Sequence, residues 1–246
     1  MLEIRALNKR FGAIRVSRDI DLAVAADQCH ALIGPNGAGK TTLIHQISGA
    51  LRPDSGTISL AGTDISAMSV PRRVRAGLGR TFQLTSILPS FSALENLAIA
   101  AQSTSGSSFR FFADASREGA LNETAREILA RVGLGGRADA LAADLSHGEL
   151  RLLELGIALA GRPRFLLLDE PMAGLGRTES AALVTLLSEL RGELPMLLVE
   201  HDMDAIFRLA DTVSVLVDGA VVARGSPDEV RSDPAARAAY LGDGAR

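Results

Sequence analysis

Lys40 closes the run Gly34-Pro35-Asn36-Gly37-Ala38-Gly39-Lys40-Thr41, whose spacing G-x-x-x-x-G-K-[ST] is that of a phosphate-binding loop. The chain has 26 Lys and Arg residues, yet Lys9 and Lys40 are its only lysines. A lysine kept inside a glycine-rich loop therefore asks for a reason, and phosphate chemistry supplies one. Glycines without Cβ let successive backbone N–H groups turn inward onto an anion. The helix that follows adds orphan N–H groups and a partial positive charge. Lys40 would reach the β- and γ-phosphates as a compact point charge, where the planar guanidinium of arginine fits poorly. The Thr41 hydroxyl would be a Mg²⁺ ligand. The competing explanation is an ordinary glycine-rich turn. Against it stand the apolar run Cys29–Ile33, which reads as a strand, and Lys40–Ile47, which carries apolar residues at helical spacing.

Further candidates lie downstream. Phe165-Leu166-Leu167-Leu168-Asp169-Glu170 is an apolar strand ending in two carboxylates. Behind a phosphate-binding loop, Asp169 would hold Mg²⁺ and Glu170 would act as general base on the attacking water. Alternatively the strand simply ends at charged residues. Leu145-Ser146-His147-Gly148-Glu149 precedes a helical run, Leu150–Ala160, and Ser146 with Glu149 fits a capping box. The same cap would present Ser146 and the Gly148 amide to a phosphate. Thr81-Phe82-Gln83 ends another short strand, and the Gln83 amide would reach Mg²⁺ and the attacking water. In Val199-Glu200-His201-Asp202, His201 sits just past a buried strand. A lone Gln is usually polar surface and a lone His usually structural, but ligand crevices form where parallel strands end.

Positioning these residues requires an α/β scaffold. Strand-like runs appear at Leu2–Leu7, Ile20–Val24, Cys29–Ile33 and Thr57–Leu60. A helical stretch extends from about Ser92 to Gly161. Alternation returns with Phe165–Leu168, a helix near Glu179–Arg191, Met196–Val199, a helix near Met203–Ala210, and Val213–Val217. Asp218-Gly219 signals a hairpin into Ala220–Ala223, and Pro227 and Pro234 open short helices. Alternation at both ends with a helical middle predicts an α/β core carrying a helical insertion. Ser103–Ser108 reads as a flexible loop, and Phe109, Phe111 and Phe112 after it either pack on the helical part or meet an apolar partner.

The 246 residues, 47% of them hydrophobic, suffice for a large core. A net charge of −3 carries no nucleic-acid footprint. A single cysteine, Cys29, allows no internal disulfide and suits a reducing compartment. The N-terminus lacks a signal-peptide core, and no apolar run approaches the ~20 residues of a membrane helix. The expectation is a cytoplasmic protein, with any membrane role exerted through a partner.

The ordered set GPNGAGKT, TFQ, LSHGE, FLLLDEP and EHD resembles the Walker A loop, Q-loop, signature motif, Walker B strand and switch histidine of ABC transporter ATP-binding subunits. The resemblance implies a P-loop α/β core, with a mixed sheet, flanking helices and an N-terminal antiparallel β part, plus a helical subdomain. The core would take about residues 1–88 and 162–246, and the subdomain about 89–161, within one nucleotide-binding domain. It implies ATP on Gly34, Pro35, Asn36, Gly37, Ala38, Gly39, Lys40, Thr41, Thr42 and Gln83; Mg²⁺ on Thr41, Gln83 and Asp169; Glu170 as base; and His201 on the γ-phosphate. Phe11, and with it Val16, resembles the position that stacks on adenine. Leu145, Ser146, His147, Gly148 and Glu149 would close on the ATP of a second ATPase subunit, identical or not. The chain departs from the family pattern at His147 and Glu149, against the usual LSGGQ, and at Gly176, where a polar residue often stands.

More narrowly, GRTFQ, LENLAIA, DEPMAGL, VEHDM and PAARAAYLGD, with its Tyr240-Leu241-Gly242 ending, are similar to ATPase subunits of branched-chain amino acid importers. That implies two membrane permeases and, indirectly, a secreted or periplasmic solute-binding protein, with the ATPase peripheral on the inner membrane face. Importers of urea or short amides share the subfamily. From other classes, a non-transport ABC ATPase and a small P-loop kinase remain alternatives; the kinase would not need the signature motif.

Overall fold

The computed structural model describes residues 1–81, 87–104 and 115–238. Two sheets and the helices between and beside them make up the architecture. The first half supplies β1 (Leu2–Phe11), β2 (Ile14–Val24), β3 (Cys29–Ile33), α1 (Lys40–Ser48), β4 (Ser55–Leu60), β5 (Thr63–Asp64), α2 (Val70–Arg75) and β6 (Leu78–Arg80). Three helices follow: α3 (Ala93–Thr104), α4 (Ala115–Arg131) and α5 (His147–Ala160). Alternation then resumes with β7 (Phe165–Asp169), α6 (Arg177–Arg191), β8 (Met196–Val199), α7 (Met203–Leu209), β9 (Thr212–Val217) and β10 (Ala220–Gly225), ending in α8 (Pro227–Ser232) and α9 (Pro234–Ala236).

One sheet is antiparallel, in the order β2-β1-β4-β5; the other is mixed, in the order β10-β9-β3-β8-β7-β6. Within the mixed sheet β9, β3, β8, β7 and β6 run parallel, and β10 pairs antiparallel with β9. The residues of β3, β7 and β8 are all buried, which explains why these strands are unbroken apolar runs: a parallel sheet is covered on both faces. Alternation divides them between the two faces of the sheet. Leu32, Leu167 and Leu197 pack with α1 (Leu43, Ile44, Ile47) and with Leu2, Ile4 and Leu22 of the antiparallel sheet. Leu166, Leu168 and Leu198 face the opposite side, with Leu97 of α3, Leu129 of α4, Leu153 of α5 and Leu187 of α6.

The apolar strands predicted from sequence are present, and the hairpin and both proline-opened helices as well. The differences lie at the edges. β1 and β2 extend beyond Leu7 and before Ile20 to form a hairpin tip at Phe11 and Ile14, paired as Phe11↔Ile14. Their outer residues break the apolar pattern, with Phe11 and Ile14 exposed and the polar Ser17 buried, so no alternation marked them as strand. Thr81 follows β6 and is not part of it, whereas the sequence reading placed Thr81 at a strand end. Gln83, Phe109, Phe111, Phe112 and Tyr240-Leu241-Gly242 lie outside the described residues. Among the described residues no helix is long and apolar enough to cross a membrane.

Candidate functional site

The turn from β3 into α1 carries Lys40. Its glycines are required by close approach as well as by φ. A Cβ on Gly34 would overlap the Leu216 carbonyl oxygen, and one on Gly39 (φ 105°) would lie 2.5 Å from the Val16 carbonyl oxygen. The β9–β10 turn presses on the same place: Gly219 N donates to Ala38 O (2.9 Å) and Arg18 N donates to Gly219 O (2.7 Å). Val16 thus meets the loop through its backbone. Lys40 Nζ donates to the carbonyls of Gly34 (2.6 Å) and Pro35 (3.0 Å), bracing the turn. Partial burial pulls the Lys40 pKa below its usual value, and the Glu170 and Asp169 carboxylates oppose that shift. Helix α1 starts at Gly39 with no side-chain cap and no acidic residue in its first turn. Asn36, Gly37 and Thr41 are exposed there, and Thr42 is half-buried. Phe11 is exposed at the hairpin tip, with Lys9 Nζ 5.6 Å from its ring centroid.

The two carboxylates emerge where β7 ends, next to β8, in the register Asp169↔Val199. Asp169 is buried, and Arg80 at the end of β6 stands 3.5 Å from its Oδ2 while donating to Ser48 Oγ (2.9 Å). Burial raises the Asp169 pKa, opposed by the Arg80 charge and reinforced by Glu170. Glu170 adopts φ 48°, a left-handed conformation unusual for a residue with a Cβ, held by its N–H on Val199 O (2.8 Å). His201 leaves β8 beside it, with its imidazole exposed. Lys40, Asp169, Glu170 and His201 therefore all sit at the carboxyl ends of neighbouring parallel strands, where a phosphate ester would bind.

Leu145–Glu149 leads into the N-terminus of α5. Ser146 Oγ accepts from Glu149 N (3.2 Å), and Glu149 Oε2 accepts from Ser146 N (2.8 Å), a complete capping box for α5. Glu149 also pairs with Arg137 (2.9 Å), and its pKa is lowered, chiefly by the Ser146 N–H. His147 Nε2 lies 3.3 Å from Ala173 O, a distance at which the imidazole N–H donates to the carbonyl. A Cβ on Gly148 would overlap the Glu179 carboxylate, whose Oε2 accepts from Gly176 N (2.9 Å). The segment thus packs on the loop after β7. Among the described residues no hydrogen bond or ion pair joins Leu145–Glu149 to Gly34–Thr42.

A family model described as ABC transporter matches residues 17–173, more than half of the chain. The chain belongs to the ABC transporter family of ATP-binding cassettes. It is an ATPase of transport, of the α/β cassette fold. A second model, described as branched-chain amino acid ATP-binding cassette transporter, matches residues 220–246. Among curated relatives, the high-affinity branched-chain amino acid transport ATP-binding protein BraF of Pseudomonas aeruginosa is 36% identical, over 99% of this chain and 98% of the relative. The corresponding protein LivG of Escherichia coli is 33% identical over the same shares. A crystal structure of a nucleotide-free ATP-binding cassette from an ABC transporter superposes with a TM-score of 0.85 at 28% identity, covering 98% of each chain.

Within the cassette, two residues were named in motifs but given no role by sequence reasoning. Arg80, in GRTFQ, reaches Asp169. Glu200, in VEHD, is buried and accepts hydrogen bonds from Met172 N and His201 N, each 2.9 Å. An arginine just before the Q-loop and a carboxylate at the end of a buried strand were the available signals. Asp169 and Met172, the partners from distant sequence, gave none.

Proposed function

We propose that this cassette hydrolyses ATP in a site completed by a second ATPase subunit, and so drives import of branched-chain amino acids through two membrane permeases. The observation that carries the reading is the division of the site. Lys40, Asp169, Glu170 and His201 gather at one set of strand ends, while Ser146–Glu149 is anchored to the loop after β7. The family resemblance assigns both groups to one triphosphate, and among the described residues no hydrogen bond or ion pair joins them, so the second would come from a neighbouring subunit, held head to tail. Closure on ATP then follows from linkage, since ATP stabilises the state that binds it better.

In that site the loop Gly34–Thr42 binds the phosphates, Lys40 lies on the β- and γ-phosphates, and Phe11 stacks on the base. Glu170 takes a proton from the attacking water as the water oxygen bonds the γ-phosphorus. The bond to the bridging oxygen then breaks, leaving ADP and phosphate. His201 donates to the γ-phosphate. The donor set fits Mg²⁺: hard oxygens from the exposed Thr41 hydroxyl and the Asp169 carboxylate, to which the motif would add Gln83, outside the described residues. A bound Mg²⁺ supplies charge neutralisation on the phosphate oxygens.

The substrate reading rests on the family match at residues 220–246 and on the transport activity for which the relatives are named. Permease docking rests on the exposed apolar side chains Leu88, Phe91, Ile99 and Leu141, which belong to the helical part, about residues 89–161, and its border. A solute-binding protein on the other side of the membrane would deliver the amino acid, and the cassette would lie on the inner membrane face.

The test is Glu170→Gln in the complete transporter. ATP affinity should persist, while hydrolysis and leucine uptake fall at least about a hundredfold. Undiminished hydrolysis would remove Glu170 as base. Uptake of urea in place of leucine by the unmodified transporter would overturn the substrate assignment.

A further inference from the structure

β7 and β8 are neighbours, and their exits carry Glu170 and His201 respectively. Between the two exits lies the Glu200 carboxylate, 1% exposed. Its oxygens are divided. Oε1 accepts from Met172 N (2.9 Å) in the loop that follows Glu170. Oε2 accepts from His201 N (2.9 Å) and Asp202 N (3.4 Å) in the loop that follows β8. A buried carboxylate is costly unless its charge is met, and charge-assisted bonds to backbone N–H groups meet it. An apolar side chain would fill the same strand end without that cost but would tie neither loop.

His201 depends on this anchoring more than Glu170 does. Glu170 is fixed by its own N–H on Val199 O (2.8 Å). The His201 side chain is 64% exposed, with Nδ1 3.8 Å from Glu200 Oε2. Its position is therefore set largely from its backbone. The tethered loop is held from a second direction by His147 on Ala173 O, 3.3 Å.

We propose that Glu200 is a positioning residue that locks the loop after Glu170 to His201, so that the base and the imidazole meet the γ-phosphate together. The inference rests on the ATPase reading above and adds a residue to it. Glu200→Gln keeps the volume but offers a single acceptor, and its NH₂ opposes one of the N–H donors. One loop then loses its tether.

The experiment uses the complete transporter, with Glu200→Gln in the wild-type and in the His201→Ala background. It measures kcat, and titrates ADP and a non-hydrolysable ATP analogue. In the wild-type background kcat should fall about tenfold, the loss expected for a charge-assisted hydrogen bond. Affinity for the ATP analogue should fall about threefold or more, with ADP affinity unchanged within about twofold, because only the γ-phosphate meets His201. In the His201→Ala background Glu200→Gln should add less than about twofold to either loss, since residues acting through one another are non-additive. Equal weakening of ADP and analogue, or an undiminished effect without His201, would show a merely structural role and overturn the proposal. So would unchanged kcat and analogue affinity. Should Glu200→Gln fail to fold, Glu200→Asp, too short to span both loops, is read by the same cycle. If His201→Ala alone left kcat and analogue preference intact, the γ-phosphate role of His201 would fall, and this inference with it. A normal His201→Ala loss with a silent Glu200→Gln overturns this inference alone.

Discussion

Helix α1 begins on Gly39 without a side-chain cap or an acidic residue in its first turn, whereas α5 begins on Ser146 with both halves of a capping box and Arg137 paired to Glu149. Both N-termini are assigned to phosphate, yet only α5 satisfies its orphan N–H groups from within. α1 finds its support at the other end. Buried Arg73 donates to the carbonyls of Gln46 and Ile47, both at 2.7 Å, where the helix dipole is negative. The difference separates two ways of presenting an anion site. In the proposed site α1 would keep its N–H groups for the phosphates of its own nucleotide and is stabilised from behind. α5 is shaped in advance by Ser146 and Glu149, and would offer the finished end to the nucleotide of a second subunit.

That contrast can be broken at α1 first. Lys40→Ala should weaken nucleotide binding about a hundredfold, ~3 kcal/mol, by loss of charge-assisted bonds to phosphate. Unchanged affinity in an equilibrium titration would remove the loop from the site. Thr42→Glu would give α1 the acidic first turn it lacks. The thermal midpoint should rise slightly, for a gain of about 0.3–1 kcal/mol from the helix dipole, while ATP affinity drops about tenfold through repulsion. A rise in both would mean that the open N-terminus does not serve an anion.

At α5 the effect is smaller and of opposite kind. Ser146→Ala should cost about 1 kcal/mol of stability and leave ATP titration of the single chain unchanged. The same cap gives a pH signature. The pKa of Glu149 is lowered in the folded state, so its contribution is complete above the ordinary glutamate value of about 4.3 and is lost as pH falls through the lower folded value. Acid unfolding in that window should become shallower in Glu149→Gln. An identical profile would mean that the cap bond does not survive in solution.

Much of this was legible in the chain. β3, β7 and β8 could be read because strands buried on both faces must be apolar throughout, and the Asp218-Gly219 turn because both residues take positive φ, 46° and 79°. The outer halves of β1 and β2 were not legible. Asn8, Lys9 and Arg10 are polar residues held by the sheet and by Asp54, which accepts from Lys9 Nζ and Arg10 N (both 2.7 Å), so they carry no hydrophobic period. β6 is three residues long and exists through its register with β7, Leu78↔Phe165. Arg73 would be placed on the surface by residue type, yet four main-chain carbonyls bury it.

By itself the sequence determined the reactive groups and their order: the glycines and Lys40 of one turn, the carboxylates ending one strand, the histidine ending another, and the cap of α5. These are local properties, fixed by φ, by strand and helix period and by side-chain chemistry within a few residues. The tertiary structure alone decided their company. It set Arg80 beside Asp169, closed the β9–β10 turn onto the Lys40 loop, and placed one Glu200 oxygen on each of two strand exits. Apart from that of Glu200 with His201 N, those contacts join residues far apart in the chain. Parallel pairing of β6, β7 and β8, and of β3 with β8 and β9, brings them within hydrogen-bonding distance, and no local spacing encodes that pairing.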